Sequence, residues 1–230
     1  MIGKSYAFFL LSAALIVSVI PGYALAAQGG DSIVVGGLTP EIYGSVEEME
    51  FDVVGEKSTV EFVGTSLMHH FHGVSHEPSG FTRVNFGSPG ATAVTEITVP
   101  VDSLKGFALG SEKSDLSKNI HQNLESDTYP DITFKMTQIL PEKPDPSRPS
   151  ERNYLLKGDL TIHGVTKSII LTANTEIKDG FLHVTGEYDS LNMTDYGVEP
   201  KPLMAMIRVD DIVDIKFDLY EAMKNGVAVK

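Results

Sequence analysis

Apolar and polar residues alternate with a period of two over most of the chain from Glu50 onward. In residues 91–101, Ala93, Thr95, Ile97, Val99 and Val101 share one face, and Thr92, Glu96 and Thr98 the other. Ile132, Phe134 and Met136 alternate with Asp131, Thr133 and Lys135. Tyr154, Leu156, Gly158, Leu160 and Ile162 form another such face. Ile169, Leu171, Ala173 and Ile177 form a fourth, and Ile207, Val209, Val213, Ile215, Phe217 and Leu219 a fifth. Two shorter runs, 51–54 and 59–63, flank Gly55. Strands of this kind have one apolar and one wet side, which suits antiparallel sheet and not the doubly covered parallel sheet of α/β folds. Asp179-Gly180 is a hairpin turn signal, and Gly158 inside a strand predicts a bulge or bend. Seven or eight strands in one domain predict an all-β closed barrel or a sandwich.

Two segments break the alternation. Leu116, Ile120 and Leu124 recur every fourth residue, which predicts an amphipathic helix over 114–125 with Ser114 as its N-cap. Residues 141–152 hold four prolines and predict a long exposed loop between strands. The first 26 residues carry one charge, Lys4, then an apolar run over 7–20 broken only by Ser12 and Ser18, then Ala24-Leu25-Ala26. This reads as a cleaved secretory signal peptide (1–26). Residues 27–48 read as a flexible, glycine-rich lead-in, 49–221 as the barrel and 222–230 as a C-terminal tail.

Composition narrows the chemistry. The 230 residues contain no cysteine, which excludes disulfides, thiolate metal sites, a cysteine nucleophile and a lipid anchor on an N-terminal cysteine. The formal net charge of −13 opposes binding to nucleic acid. Neither a phosphate-cradling glycine loop nor a nucleophile elbow occurs. His69, His70, His72 and His76 form the densest polar cluster, yet no carboxylate or further histidine lies at a diagnostic spacing, and no metal is assigned to them. What remains is apolar surface: 11 Phe and 8 Met without Trp. A closed barrel either fills its interior or encloses a guest, and Met and Phe commonly line sites for flexible apolar chains.

The segment from Gly158 through Asp159, Leu160, Thr161, Ile162, His163, Gly164, Val165 and Thr166 to Lys167 resembles the signature of the YceI family. Asn119-Ile120-His121, with Leu124, Tyr129-Pro130, Ile132 and Phe134, is similar to a second block, and Asp195-Tyr196-Gly197 to a third. The resemblance spans about 51–220 and implies an eight-stranded antiparallel, extended lipocalin-like barrel with one or two short helices. It further implies an exported, periplasmic protein whose cavity holds a polyisoprenoid, an isoprenoid quinone or a similar long-chain amphiphile. No catalytic residue is expected, and no cofactor beyond such a bound lipid. The expected lining is Phe62, Met68, Phe71, Phe81, Ile97, Leu116, Ile120, Leu124, Phe134, Met136, Leu160 and Met206. His70, His72 and His121 are expected to meet a headgroup at the mouth. The amphiphilic lipid is the expected partner, without nucleic acid or membrane insertion, and a dimer is left open. Two other readings stand beside this carrier: a histidine-rich metal-binding or stress-response protein, and an enzyme acting on a bound lipid.

Overall fold

A computed structural model describes residues 48–66, 70–84, 93–141, 152–199 and 209–224. The expected signal peptide and nearly all of the lead-in lie outside these residues, as does most of the proline loop. Among the described residues, twelve strands run in chain order: β1 (Met49–Val53), β2 (Thr59–Ser66), β3 (His70–Ser75), β4 (Ser79–Val84), β5 (Val94–Pro100), β6 (Lys105–Ala108), β7 (Ser111–Glu112), β8 (Asp131–Pro141), β9 (Arg152–Ile162), β10 (Val165–Lys178), β11 (Phe181–Asn192) and β12 (Val209–Met223). One α-helix, α1 (Ser114–Asn123), lies between β7 and β8. All pairings among the described strands are antiparallel. The order β1-β4-β5-β8-β9-β10-β11-β12 returns to β1, closing an eight-stranded barrel.

Three successive members of the wall are bent, which raises the strand count from eight to eleven, and the two-residue β7, paired with β6, is the twelfth. A 3-10 turn at Gly55–Lys57 separates β1 from β2, residues 76–78 separate β3 from β4, and a 3-10 turn at Val101–Ser103 separates β5 from β6. These bends lie against one another. A side chain at Gly55 would meet the Pro78 carbonyl at 2.7 Å, and Ser75 and Ser103 share a 2.6 Å hydroxyl contact. At the first bend the fully buried Ser58 hydroxyl donates to the Val54 carbonyl at 2.8 Å and accepts from the Tyr220 amide at 2.9 Å. It therefore satisfies backbone groups that the broken ladder leaves over. Beyond the bends, β2, β3 and β6 continue the sheet from β12, and α1 lies on β6. β12 is long enough, at 15 residues, to pair with both β1 and β2. It therefore continues through Ala222 and Met223, two residues into the expected C-terminal tail, because the barrel closes there on β1.

The helix is shorter than its periodicity predicts, and its N-cap is Lys113, not Ser114. The Lys113 amide instead bonds the Gly106 carbonyl at 2.7 Å, and the Gly106 amide donates to the Ser117 hydroxyl at 2.8 Å. These two bonds fasten the first turn to β6. A side chain at Gly106 would strike Leu116 at 2.5 Å, so the close approach requires glycine. At the other end Glu125 takes φ 48°, which stops the helix. Leu116 and Ile120 face inward and bury with Phe71 and Leu104. The expected irregularity at Gly158 is present in the facing strand: β8 carries an extra residue, Thr137, between Met136 and Gln138. Gly158 itself makes room for the Phe134 ring, which a side chain there would meet at 2.4 Å.

Candidate ligand-binding cavity

The inward faces of the barrel do not meet across its axis. They enclose a cavity of about 270 Å³, counted as the space open to the centres of water molecules. The wall follows the sequence alternation. From β12 come Val213, Ile215, Phe217 and Leu219, then Glu221; from β9 Tyr154, Leu156, Leu160 and Ile162; from β5 Thr95, Ile97 and Val99. Val213 to Glu221 covers about 26 Å of strand at 3.3 Å per residue, so the cavity is elongated. Leu116, Ile120 and Leu124 border it from α1 and its C-terminal end.

Of the expected lining, Phe62, Phe71, Ile97, Leu116, Ile120, Leu124, Phe134, Met136 and Leu160 border this cavity. Met68 and Met206 lie outside the described residues. Phe81 does not border it. Its neighbours Thr82 and Val84 line the cavity, so alternation turns Phe81 to the outer face, where Arg83 stands 5.3 Å over its ring.

The headgroup histidines also require correction, for the same reason. Phe71 points inward from β3, so His70 and His72 point outward. His70 pairs with the Thr65 hydroxyl at 3.2 Å, and His72 contacts the Glu61 carboxylate. His121 leaves the lining because its Nε2 meets the Leu104 carbonyl at 2.8 Å, a contact that ties α1 to the strand side. His76 bonds the Thr59 hydroxyl at 3.1 Å beside the first bend. Among the described residues, no three metal-ligating side chains converge.

Sequence reasoning missed the polar groups in the wall. Among the described lining residues no Lys, Arg or His occurs, and the carboxylic acids are Glu61, whose carboxylate turns to His72 on the outer face, and Glu221. Glu221 is 1% exposed. Its Oε1 accepts from the Thr82 hydroxyl at 3.2 Å, and Thr82 contacts the Thr95 hydroxyl at 3.1 Å. Oε2 is buried and meets no hydrogen-bond partner among the described residues. Burial, reinforced by the nearby Asp52 charge and opposed by the Thr82 bond, pushes the carboxyl up to about 8. It is therefore a neutral acid at pH 7. Burial likewise pushes the Tyr196 phenol, at the border of the cavity, up to about 12. The missed signal is phase: Glu221 continues the inward series Phe217, Leu219, which marks it as an acid on an apolar face.

The three sequence blocks of the resemblance meet at the β9–β10 turn. His163 and Gly164 both take positive φ, 51° and 74°, as a two-residue hairpin requires. The His163 ring lies 4.4 Å from that of Tyr129, and a side chain at Gly164 would meet Tyr129 at 2.6 Å. Lys167 pairs with Asp195 at 3.6 Å and lies over the Tyr196 ring. The signature thus holds the segment after α1 and the turn after β11 against the barrel, while its Leu160 and Ile162 line the cavity. The family model for the YceI-like domain matches residues 51–220.

The chain belongs to the YceI-like family. It is 27% identical over 168 residues to UPF0312 proteins of Pseudomonas savastanoi pv. phaseolicola and Pseudomonas syringae pv. syringae, covering 69% of this chain and 81% of each relative. Its fold is similar to that of Burkholderia cenocepacia BcnA, with TM-score 0.60 and 20% identity over 73% of this chain and 98% of that one. It is also similar to a polyisoprenoid binding domain from Saccharophagus degradans implicated in plant cell wall breakdown, with TM-score 0.56 and 14% identity over 76% and 98% of the two chains. At these identities the structural likeness establishes this YceI-like barrel as the shared fold. No helix among the described residues is long and apolar enough to cross a membrane.

Proposed function

We propose that this protein is an exported, periplasmic carrier that sequesters a long-chain isoprenoid, isoprenoid quinone or similar amphiphilic lipid inside its barrel, without catalysing a reaction on it. The observation that carries this reading is the elongated apolar cavity bordered by α1. An apolar space of this size in a closed barrel is a site for an apolar guest. Burying a methylene is worth about 0.8 kcal/mol, so ten methylenes supply about 8 kcal/mol before the ordering cost of association. Neither a covalent nor a metal bond is needed. The polyisoprenoid-binding neighbour supports the same class of ligand.

Protein purified from its own host, examined by native mass spectrometry and organic extraction, tests the proposal. A co-purifying isoprenoid or fatty amphiphile at near one equivalent is the expected result. A ligand-free mass in every preparation overturns it. Turnover of the extracted lipid by the purified protein would instead favour an enzyme.

A further inference from the structure

We infer that Asn119 and Asn123 form a polar subsite on α1, at the border of the cavity, that holds an uncharged hydroxyl or carbonyl end of the apolar ligand. The inference rests on the cavity being the ligand site and specifies which end of the ligand meets α1.

Helix geometry places both side chains. At about 100° per residue, Asn123 and Asn119 lie about 20° and 60° to one side of Leu116. Ser117 and His121 lie about 100° and 140° to the other side, where they bond the Gly106 amide and the Leu104 carbonyl. That second flank fastens α1 to the strands, and the asparagines occupy the other. Both asparagines border the cavity beside Leu116, Ile120 and Leu124. Both are half-buried, so each keeps surface that a guest can reach. Neither carboxamide meets a hydrogen-bond partner among the described residues. Thr82, Thr95 and Glu221, also in the wall, differ in this respect because they bond one another.

The chemistry of the pair selects an uncharged partner. A carboxamide carries both donors and an acceptor whichever way it is turned, so it answers a hydroxyl or a carbonyl. An anion is disfavoured at the same place. No Lys, Arg or His borders the cavity among the described residues. Asn123 ends α1, where the helix dipole is negative. Lys118, on the same helix, is exposed and lies about 160° from Leu116, on the side away from the cavity. A phosphate or carboxylate beside Asn123 would therefore lack a cation, whereas a neutral oxygen needs only the hydrogen bonds that the two amides offer.

The test uses the full chain freed of lipid and a neutral fluorescent dye, N-phenylnaphthylamine, displaced by dodecan-1-ol, dodecane or dodecyl phosphate. The competitors share a carbon chain and differ at one end. In the double variant Asn119→Leu/Asn123→Leu the preference for dodecan-1-ol over dodecane is expected to fall about tenfold, the equivalent of about 1.4 kcal/mol. Asn119→Gln/Asn123→Gln keeps both amides and should hold the wild-type preference within about threefold. NMR of nitrogen-labelled wild type gives a second readout that needs no variant: the side-chain amide resonances of Asn119 and Asn123 should move further with dodecan-1-ol than with dodecane. Equal preference in wild type and the leucine variant, or the same resonance shifts with both competitors, overturns the subsite while leaving the carrier reading intact. Dodecyl phosphate should bind wild type more weakly than dodecan-1-ol, and equal or tighter binding overturns the uncharged assignment. Failure of wild type to bind any of the three overturns both readings.

Discussion

Replacing Glu221 by Gln removes an ionisable group whose burial is nearly complete and whose proton affinity is strongly altered, while conserving shape and one hydrogen-bonding oxygen. An unfolded glutamate titrates near 4.5, and in the barrel the same carboxyl titrates near 8. Between these values the folded chain keeps a proton that the unfolded chain releases. Stability therefore falls as pH rises, by about 1.4 kcal/mol per pH unit. The contribution is fully present below pH 4.5, is lost progressively toward pH 8, and amounts to roughly 5 kcal/mol over that window. This is comparable to the net stability of many domains, about 5–15 kcal/mol. Glutamine does not titrate, so Glu221→Gln lacks this slope. Lipid must be extracted from both proteins first, because a bound ligand adds its own stabilisation. Urea unfolding at a series of pH values from 5 to 8.5 should show the wild type losing several kcal/mol relative to the variant as pH rises. Every other titrating group is common to both proteins and cancels in the difference. Parallel stability curves would refute the assignment of Glu221 as a buried neutral acid.

Further outcomes follow from the packing. Ser58→Ala strands the Tyr220 amide at the first bend and should cost about 1–3 kcal/mol in chemical unfolding; an unchanged midpoint would show that the bend does not depend on that hydroxyl. Gly158→Val forces a branched side chain into the Phe134 ring and the Lys135 carbonyl, and should lower stability by about 1–3 kcal/mol and weaken dye binding. A thermal midpoint equal to wild type would argue against the close packing. Leu171→Trp adds bulk to the cavity wall and should abolish dye binding in a protein that still folds, whereas Phe81→Ala, on the outer face, should bind dye as wild type does. Equal loss in both would place Phe81 on the wrong side of the sheet.

The directions of side chains within the long strands are legible in the alternation alone. Ile97, Phe134, Met136, Leu156, Leu160, Ile215 and Phe217 all border the cavity, as their alternation requires. Where expectation and fold part, the reason is phase or neighbours. Phe81 suits a lining by its aromatic ring, but it sits on β4, a strand whose own sequence does not advertise its phase. His70 and His72 suit a headgroup by their chemistry, although Phe71 between them occupies the inward position. His121 lies on the helix beside the apolar stripe, and only its contact with Leu104 shows that the ring is engaged elsewhere.

The sequence by itself determined the long strands, their two-sidedness and the helix stripe, because these depend on backbone geometry over a few residues. The three blocks that resemble the YceI signature were likewise readable as patterns. Tertiary structure decided which strand bends where, since the bends at Gly55, Pro78 and Ser103 support one another across strands far apart in the chain. It also decided the chemistry of the interior. Thr82, Thr95 and Glu221 are ordinary residues in their own segments; closing β12 onto β1 beside β4 brings them together, removes water, and turns a common carboxylate into a buried neutral acid.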